Sequence, residues 1–182
     1  MAADRDAVDL GRRALLRGSW RQHELPAPVR PPGAVEANLF HDRCTGCGDC
    51  AEVCPADAIV MTASATRTGV SSPEIHASKA PCVMCEGLVC TTSCPADALA
   101  PTSAADMKIA NLRFRPDACW AATGSDPSCD YCFDRCPQKG RAVTYVRGKG
   151  PSFHPDHCTG CGVCAFYCPS NSKPLSLAAL TT

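Results

Sequence analysis

Sixteen cysteines fall into four sets of four in this 182-residue chain, and every set ends in Cys-Pro. The first is Cys44, Cys47, Cys50 and Cys54 in CTGCGDCAEVCP, and the second is Cys82, Cys85, Cys90 and Cys94 in CVMCEGLVCTTSCP. The third is stretched: Cys119, then Cys129, Cys132 and Cys136 in CDYCFDRCP. The fourth is Cys158, Cys161, Cys164 and Cys168 in CTGCGVCAFYCP. With only five Phe, three Tyr and two Trp, the chain has a thin aromatic core. Whatever the cysteines bind must therefore organise the fold, because metal binding by such a chain is also its folding.

Sets one and four have the spacing C-x2-C-x2-C-x3-C-P, which is the run that holds [4Fe–4S] clusters in bacterial two-cluster proteins. Three thiolates two residues apart lie on one tight loop and reach three corners of a cubane. Gly46, Gly48, Gly160 and Gly162 let that loop turn without a Cβ in the way. Its amide N–H groups are then free to point at sulfur and offset thiolate charge. The proline keeps the fourth Cys from curling back, so it serves a neighbouring cluster. Even cysteine numbers also suit disulfide scaffolds, but those belong to oxidising compartments. Zinc sites use Cys-x2-Cys pairs, usually with longer spacers between the pairs. Four complete sets favour iron–sulfur over both, and four [4Fe–4S] clusters are expected.

The middle sets are irregular. Set two has four residues where the pattern has two, and WAATGSDPS separates Cys119 from Cys129. The turn-rich GSDPS can loop out while Cys119 still reaches a cluster; the alternative is a degraded set with Cys119 a buried free thiol.

Residues 40–55 (FHDRCTGCGDCAEVCP) and 153–169 (FHPDHCTGCGVCAFYCP) form an internal repeat. Clusters built in pairs exchange their fourth cysteines, and the pairing is either sequential or nested. The like-with-like repeat favours nesting. Nesting assigns Cys44, Cys47, Cys50 and Cys168 to one cluster and Cys158, Cys161, Cys164 and Cys54 to a second. Cys82, Cys85, Cys90 and Cys136 hold the third, and Cys119, Cys129, Cys132 and Cys94 the fourth. The expected class is α+β, with two loop-rich modules and a short strand after each Cys-Pro whose apolar residues cover the cluster. The expected boundaries are 1–35 for an N-terminal helix and Pro-rich linker, 36–62 with 150–182 for an outer module, and 63–149 for an inner one. Residues 62–74 read as a surface segment.

Near the N-terminus, DLGRRALLRGSW pairs Arg12 with Arg13, as a twin-arginine export signal does. Such a signal needs an apolar core of about 7–15 residues, and here Ala14-Leu15-Leu16 ends at Arg17. The expected compartment is the cytoplasm. Residues 4–17 suit a short amphipathic helix, acidic early and basic late, in accord with the helix dipole, and LPAPVRPPG breaks it as a stiff linker. Arg12, Arg13, Leu15 and Leu16 are candidate partner-docking residues. Formal charge is zero with scattered Lys and Arg, so nucleic-acid binding is not supported. No apolar run approaches the roughly 18 residues of a membrane span. The five histidines and the remaining motifs form no catalytic arrangement, so an electron carrier or maturation factor is expected rather than an enzyme.

GRRALLRGSWR, VRPPG, the four cysteine sets and the stretched third set beginning ACWA together resemble the NapF-type ferredoxins of periplasmic nitrate reductase systems, over about residues 9–170. The middle sets also resemble the four-cluster electron-transfer subunits of molybdenum oxidoreductases, whose motifs nest. The resemblance implies a cytoplasmic accessory protein that binds the nitrate reductase catalytic subunit before export and assists its assembly or redox priming. The alternative class is a general electron-transfer ferredoxin or the electron-transfer subunit of a redox complex. Loaded with four oxidised cubanes, the chain would carry roughly −8, since sixteen thiolates are offset by about two positive charges per core.

Overall fold

A computed structural model describes residues 27–63 and 70–180. The expected N-terminal helix, with Arg12, Arg13, Leu15 and Leu16, lies outside the described residues. Six short strands, one seven-residue helix and a series of one-turn helices make up the described residues, joined by loops that carry the cysteines. Among the described residues no helix is long and apolar enough to cross a membrane.

The strands are β1 (Ile59–Thr62), β2 (Ser72–Ile75), β3 (Ala110–Phe114), β4 (Val143–Val146), β5 (Gly150–Phe153) and β6 (Leu175–Ala179). They form three antiparallel pairs. β1 pairs β2 with Ile59 opposite Ile75, β4 pairs β5 with Val143 opposite Phe153, and β3 pairs β6 with Leu112 opposite Leu177. The second half of the chain is thus an inner hairpin, β4–β5, flanked by an outer pair, β3–β6. The first half repeats this plan in reduced form. Its inner hairpin is β1–β2, and its outer pair has shrunk to one antiparallel bridge between Ala34 and Leu99. There the Val35 N–H donates to the Ala98 carbonyl at 3.1 Å and the Ala100 N–H to the Gly33 carbonyl at 2.7 Å.

The pairing corrects the nested boundaries. Both partners of every strand pair lie within one half, so the modules are contiguous: residues 27–63 with 70–100, and residues 106–180. The nested division would require the strand after Cys54 to join the outer pair with the strand after Cys168. Instead β1 closes a hairpin with the strand that follows it, and β6 returns to β3. Antiparallel neighbours close in sequence are the shorter connection.

The Pro-rich stretch is not a linker. Pro31 and Pro32 are fully buried, and the Ile75 N–H donates to the Val29 carbonyl at 2.8 Å. Arg30 donates to Ser72 Oγ at 2.6 Å and to the Pro73 carbonyl at 3.0 Å, with its guanidinium 4.7 Å over the Phe40 ring. Phe40 belongs to helix α1 (Ala37–Arg43) and is 1% exposed. Proline here stiffens a segment whose route is set by packing. Residues 62–74, expected at the surface, likewise include the buried Ser72 and Pro73.

The residues after each Cys-Pro do cover the interior, as expected. Ile59, Leu99, Val143 and Leu175 are all buried.

Candidate metal centres

The third cysteine of every set lies on a single helical turn. Cys50 is in α2 (Asp49–Glu52), Cys90 in α3 (Val89–Thr92), Cys132 in α5 (Tyr131–Asp134) and Cys164 in α6 (Val163–Phe166). The intervening turn α4 (Trp120–Thr123) directly follows Cys119. Two of these turns start from glycines in the left-handed region, Gly48 at φ 90° and Gly162 at φ 87°. The first loops are pressed against backbone: a Cβ at Gly46 would strike the Ser71 carbonyl, and one at Gly160 would strike Ala110. Only glycine allows that approach.

The cysteines gather into four groups. Cys44, Cys47 and Cys50 line one cavity with Cys94, closed by Phe40, Met61 and Leu99. Cys82, Cys85 and Cys90 line a second with Cys54, closed by Ile59, Ile75 and Leu88. Cys158, Cys161 and Cys164 line a third with Cys136, closed by Leu112, Val143 and Phe153. Around the buried Cys132 thiol the charged neighbours are Cys119, Cys129 and Cys168, which make the fourth group. These are sites A, B, C and D, in that order.

All sixteen cysteines therefore fall in complete quartets, but the nested partition is corrected. Cys94, not Cys168, completes site A; Cys54 completes site B rather than joining Cys158. Cys136 completes site C instead of joining Cys82, and Cys168 rather than Cys94 completes site D. Fourth cysteines are exchanged between the two sets of one module, as the contiguous strand pairing demands. The stretched third set is brought together with Cys168. Gly124 at φ 79° ends α4, the Asp126 carboxylate accepts from the Ser128 N–H at 3.0 Å, and the loop returns Cys129 beside Cys119.

The residues present suit a cubane cluster. Sites A, B and C offer cysteine thiols in a largely apolar enclosure. Burial first, then the neighbouring cysteines, pushes Cys50 up to about 11 and Cys90 and Cys132 up to about 12. Burial pushes Cys82 up to about 11 against the opposing Met84 N–H, and Cys164 is raised in the same sense. A cationic iron–sulfur core supplies the charge that such a site lacks. Amide donors are already in place. The Ala58 N–H lies 3.4 Å from Cys54 Sγ, and the backbones of Met84, Tyr131, Gln138 and Val163 donate to Cys82, Cys129, Cys136 and Cys161.

The four sites are neighbours in the order A, B, C, D. Cys90 of site B has Cys50 of site A among its neighbours. Cys82 of site B has Cys161 of site C, and Cys164 of site C has Cys132 of site D. The B–C step joins the modules, and there the Cys82 N–H donates to the Cys161 carbonyl at 3.1 Å. Beside it, Thr159 is 6% exposed, with its single hydroxyl proton shared between Cys161 and Met84 Sδ at 3.6 Å. A Cβ on Gly162 would collide with Ala77. Ala77, Met84 and Thr159 escaped the sequence reading, which had only the shared Cys-Thr-Gly-Cys-Gly core to go on.

An inner hairpin with an outer strand pair, reduced to a bridge in the first module, around exchanged cysteine quartets makes a ferredoxin-like arrangement, and the chain's relatives place the protein in the iron–sulfur electron-transfer class rather than among enzymes. Residues 43–98 match the 4Fe-4S dicluster domain family, and residues 151–172 match the 4Fe-4S binding domain family. The chain is 31% identical to the ferredoxin-type protein NapG of Escherichia coli K12 over 82% of its own length and 72% of that protein's. It is 33% identical to the methylamine utilization ferredoxin-type protein MauM of Methylobacillus flagellatus, over 83% and 70%. With the ferredoxin-type protein NapF of E. coli K12 it shares 27% identity over 89% and 92%. The chain belongs to this family of ferredoxin-type proteins and binds 4Fe–4S clusters. The resemblance to NapF is thereby widened: identity is higher to NapG and MauM, while NapF is matched over more of its length.

Proposed function

We propose that the chain carries four [4Fe–4S] clusters and passes electrons along them to a redox enzyme. The observation that carries this reading is the order A, B, C, D of four complete thiol quartets, with neighbouring sites joined through Cys50–Cys90, Cys82–Cys161 and Cys132–Cys164. Electron transfer falls steeply with distance, so a series of neighbouring clusters makes a conductor. A scaffold that only stored or handed over iron would have no use for that order.

The proposed partner is the catalytic subunit of a periplasmic nitrate reductase, met in the cytoplasm before export and primed or assembled there with these electrons. Likeness to NapG and NapF supports this choice. The comparable likeness to MauM favours a second reading, a carrier of the same build serving a different oxidoreductase.

The test is anaerobic purification with iron analysis, reductive titration and affinity capture. Four loaded sites give about 16 iron and accept about four electrons per chain. Iron near eight would sink the four-cluster reading. Capture of the nitrate reductase catalytic subunit, retaining its export segment, is the expected partner result. Capture of only the mature subunit would refute action before export, and capture of neither would favour the second reading.

A further inference from the structure

The same loop occurs twice in this molecule, and among the described residues only one copy is covered by the other module at its threonine, second cysteine and second glycine. In site C, Cys158-Thr159-Gly160-Cys161-Gly162 is covered by the first module. Thr159 is 6% exposed, the Cys161 carbonyl accepts from the Cys82 N–H at 3.1 Å, and the space over Gly162 is filled by Ala77 and Leu177. In site A the matching run is Cys44-Thr45-Gly46-Cys47-Gly48. Thr45 is exposed, and Cys47 is the one exposed cysteine of the sixteen. Among the described residues, nothing lies within 4 Å of a Cβ placed on Gly48. Among the described residues, no hydrogen-bond donor reaches the Cys47 carbonyl. Site A is also one end of the A-to-D order.

We infer that the Cys44–Gly48 loop face is the electron port of this protein, and that its occupant is the cluster-binding loop of another iron–sulfur protein. The inference rests on the four-cluster reading above. Inside the chain, the covered copy shows how this face receives another cluster. A small side chain fills the hollow over the glycine, as Ala77 does. A cysteine N–H on the incoming loop donates to the carbonyl of the second cysteine. A sulfur or other soft acceptor meets the threonine hydroxyl, as Met84 does at 3.6 Å. This arrangement leaves one hydrogen bond between the ligands of two clusters. A second copy of this chain is not the occupant, because its own Ala77, Cys82 N–H and Met84 are already committed to site C. The partner is therefore a different iron–sulfur protein.

The test uses the full-length loaded chain, with Thr45→Tyr and Thr45→Glu as two independent ways of blocking the face. The probes are a reduced bacterial-type two-cluster [4Fe–4S] ferredoxin, a reduced flavodoxin-type flavin carrier, and dithionite. Two quantities are read: the Kd for the ferredoxin by calorimetry, and the rate of cluster reduction by each carrier divided by the rate with dithionite. Both variants are expected to raise the ferredoxin Kd and lower its rate ratio at least tenfold, while the ratio for the flavin carrier changes less than twofold. An unchanged Kd and ratio for the ferredoxin would overturn the port. An equal loss for both carriers would overturn the iron–sulfur occupant. Iron near eight per parent chain would instead refute the four-cluster reading; the Kd comparison decides the port in either case.

Discussion

Gly48 and Gly162 allow a substitution experiment in which backbone strain cancels. Both start the helical turn of their set, at φ 90° and 87°. Alanine at either pays the left-handed penalty of about 1–2 kcal/mol. Over Gly48 the new methyl meets none of the described residues, whereas over Gly162 it meets the Ala77 Cβ and crowds Leu177 Cδ1 at 3.1 Å. The Ala77 Cβ is fixed to backbone and cannot swing away, so the modules must separate or the loop must shift. Overpacking of that kind costs about 1–3 kcal/mol. For a chain of this size each kcal/mol lowers the midpoint by about 2–4 °C. Gly162→Ala should therefore lose its cluster absorbance some 2–12 °C below Gly48→Ala when both are heated anaerobically at one scan rate, a rate-controlled comparison. Adding Ala77→Gly to Gly162→Ala removes the obstructing methyl and should recover most of the difference, while adding it to Gly48→Ala should not. Equal midpoints for the two single variants, or no recovery in the double variant, would mean that the modules do not meet at Ala77 and Gly162.

Cys54→Ala should perturb the spectroscopic signature of the Cys82, Cys85 and Cys90 cluster and spare that of the Cys158, Cys161 and Cys164 cluster; the reverse pattern in paramagnetic resonance would restore nesting. Arg30→Ala removes a ring contact and two hydrogen bonds from a half-buried cation, and a loss of about 2–4 kcal/mol is expected, read as a lower urea midpoint with no change in iron content. The Cys50, Cys82, Cys90 and Cys132 thiols, raised to about 11 or 12, are protonated near pH 8, so cluster insertion should release protons from sites A, B and D, with site B releasing the most among these four. A pH-stat reads that release directly. The same raised values favour the empty fold below the unfolded thiol pKa and withdraw that support as pH rises through 11 to 12, whereas the loaded protein should shed clusters as pH falls.

The four cysteine sets were legible because their information is local. Cys-x2-Cys-x2-Cys specifies one loop, glycine its turn and Cys-Pro its exit, and none of these depends on the rest of the chain. The strands after Cys54, Cys136 and Cys168 could be anticipated for the same reason, whereas after Cys94 only the bridge at Leu99 forms. Which sets share a module was not legible. Sets one and four resemble each other because each folds the same loop, and the resemblance was read as a sign that they meet. Instead each module combines one regular set with one irregular set. The RPP stretch misled in the same way: stiffness is local, but Arg30 finds its partners at Ser72 and Pro73, 42 and 43 residues away.

Thr45 and Thr159 show where local information ends. They stand at the same place in the same five-residue motif, and nothing in that motif separates them. What separates them is Ala77 and Met84, two unremarkable residues around a cysteine set in the other module. Their sizes decide that the loop of site C is a joint and leave that of site A uncovered by the other module. A motif repeated for one chemical task thus acquires two functional roles from its surroundings. Conductance from site to site requires the joint, and exchange with another protein requires an end that is not covered. A larger residue at position 77 would force the joint apart without altering any cysteine, while a larger residue at position 45 would block the exposed end. The capacity to bind clusters is therefore written in the cysteines, and the path electrons take is written in the small residues that decide which loops can touch.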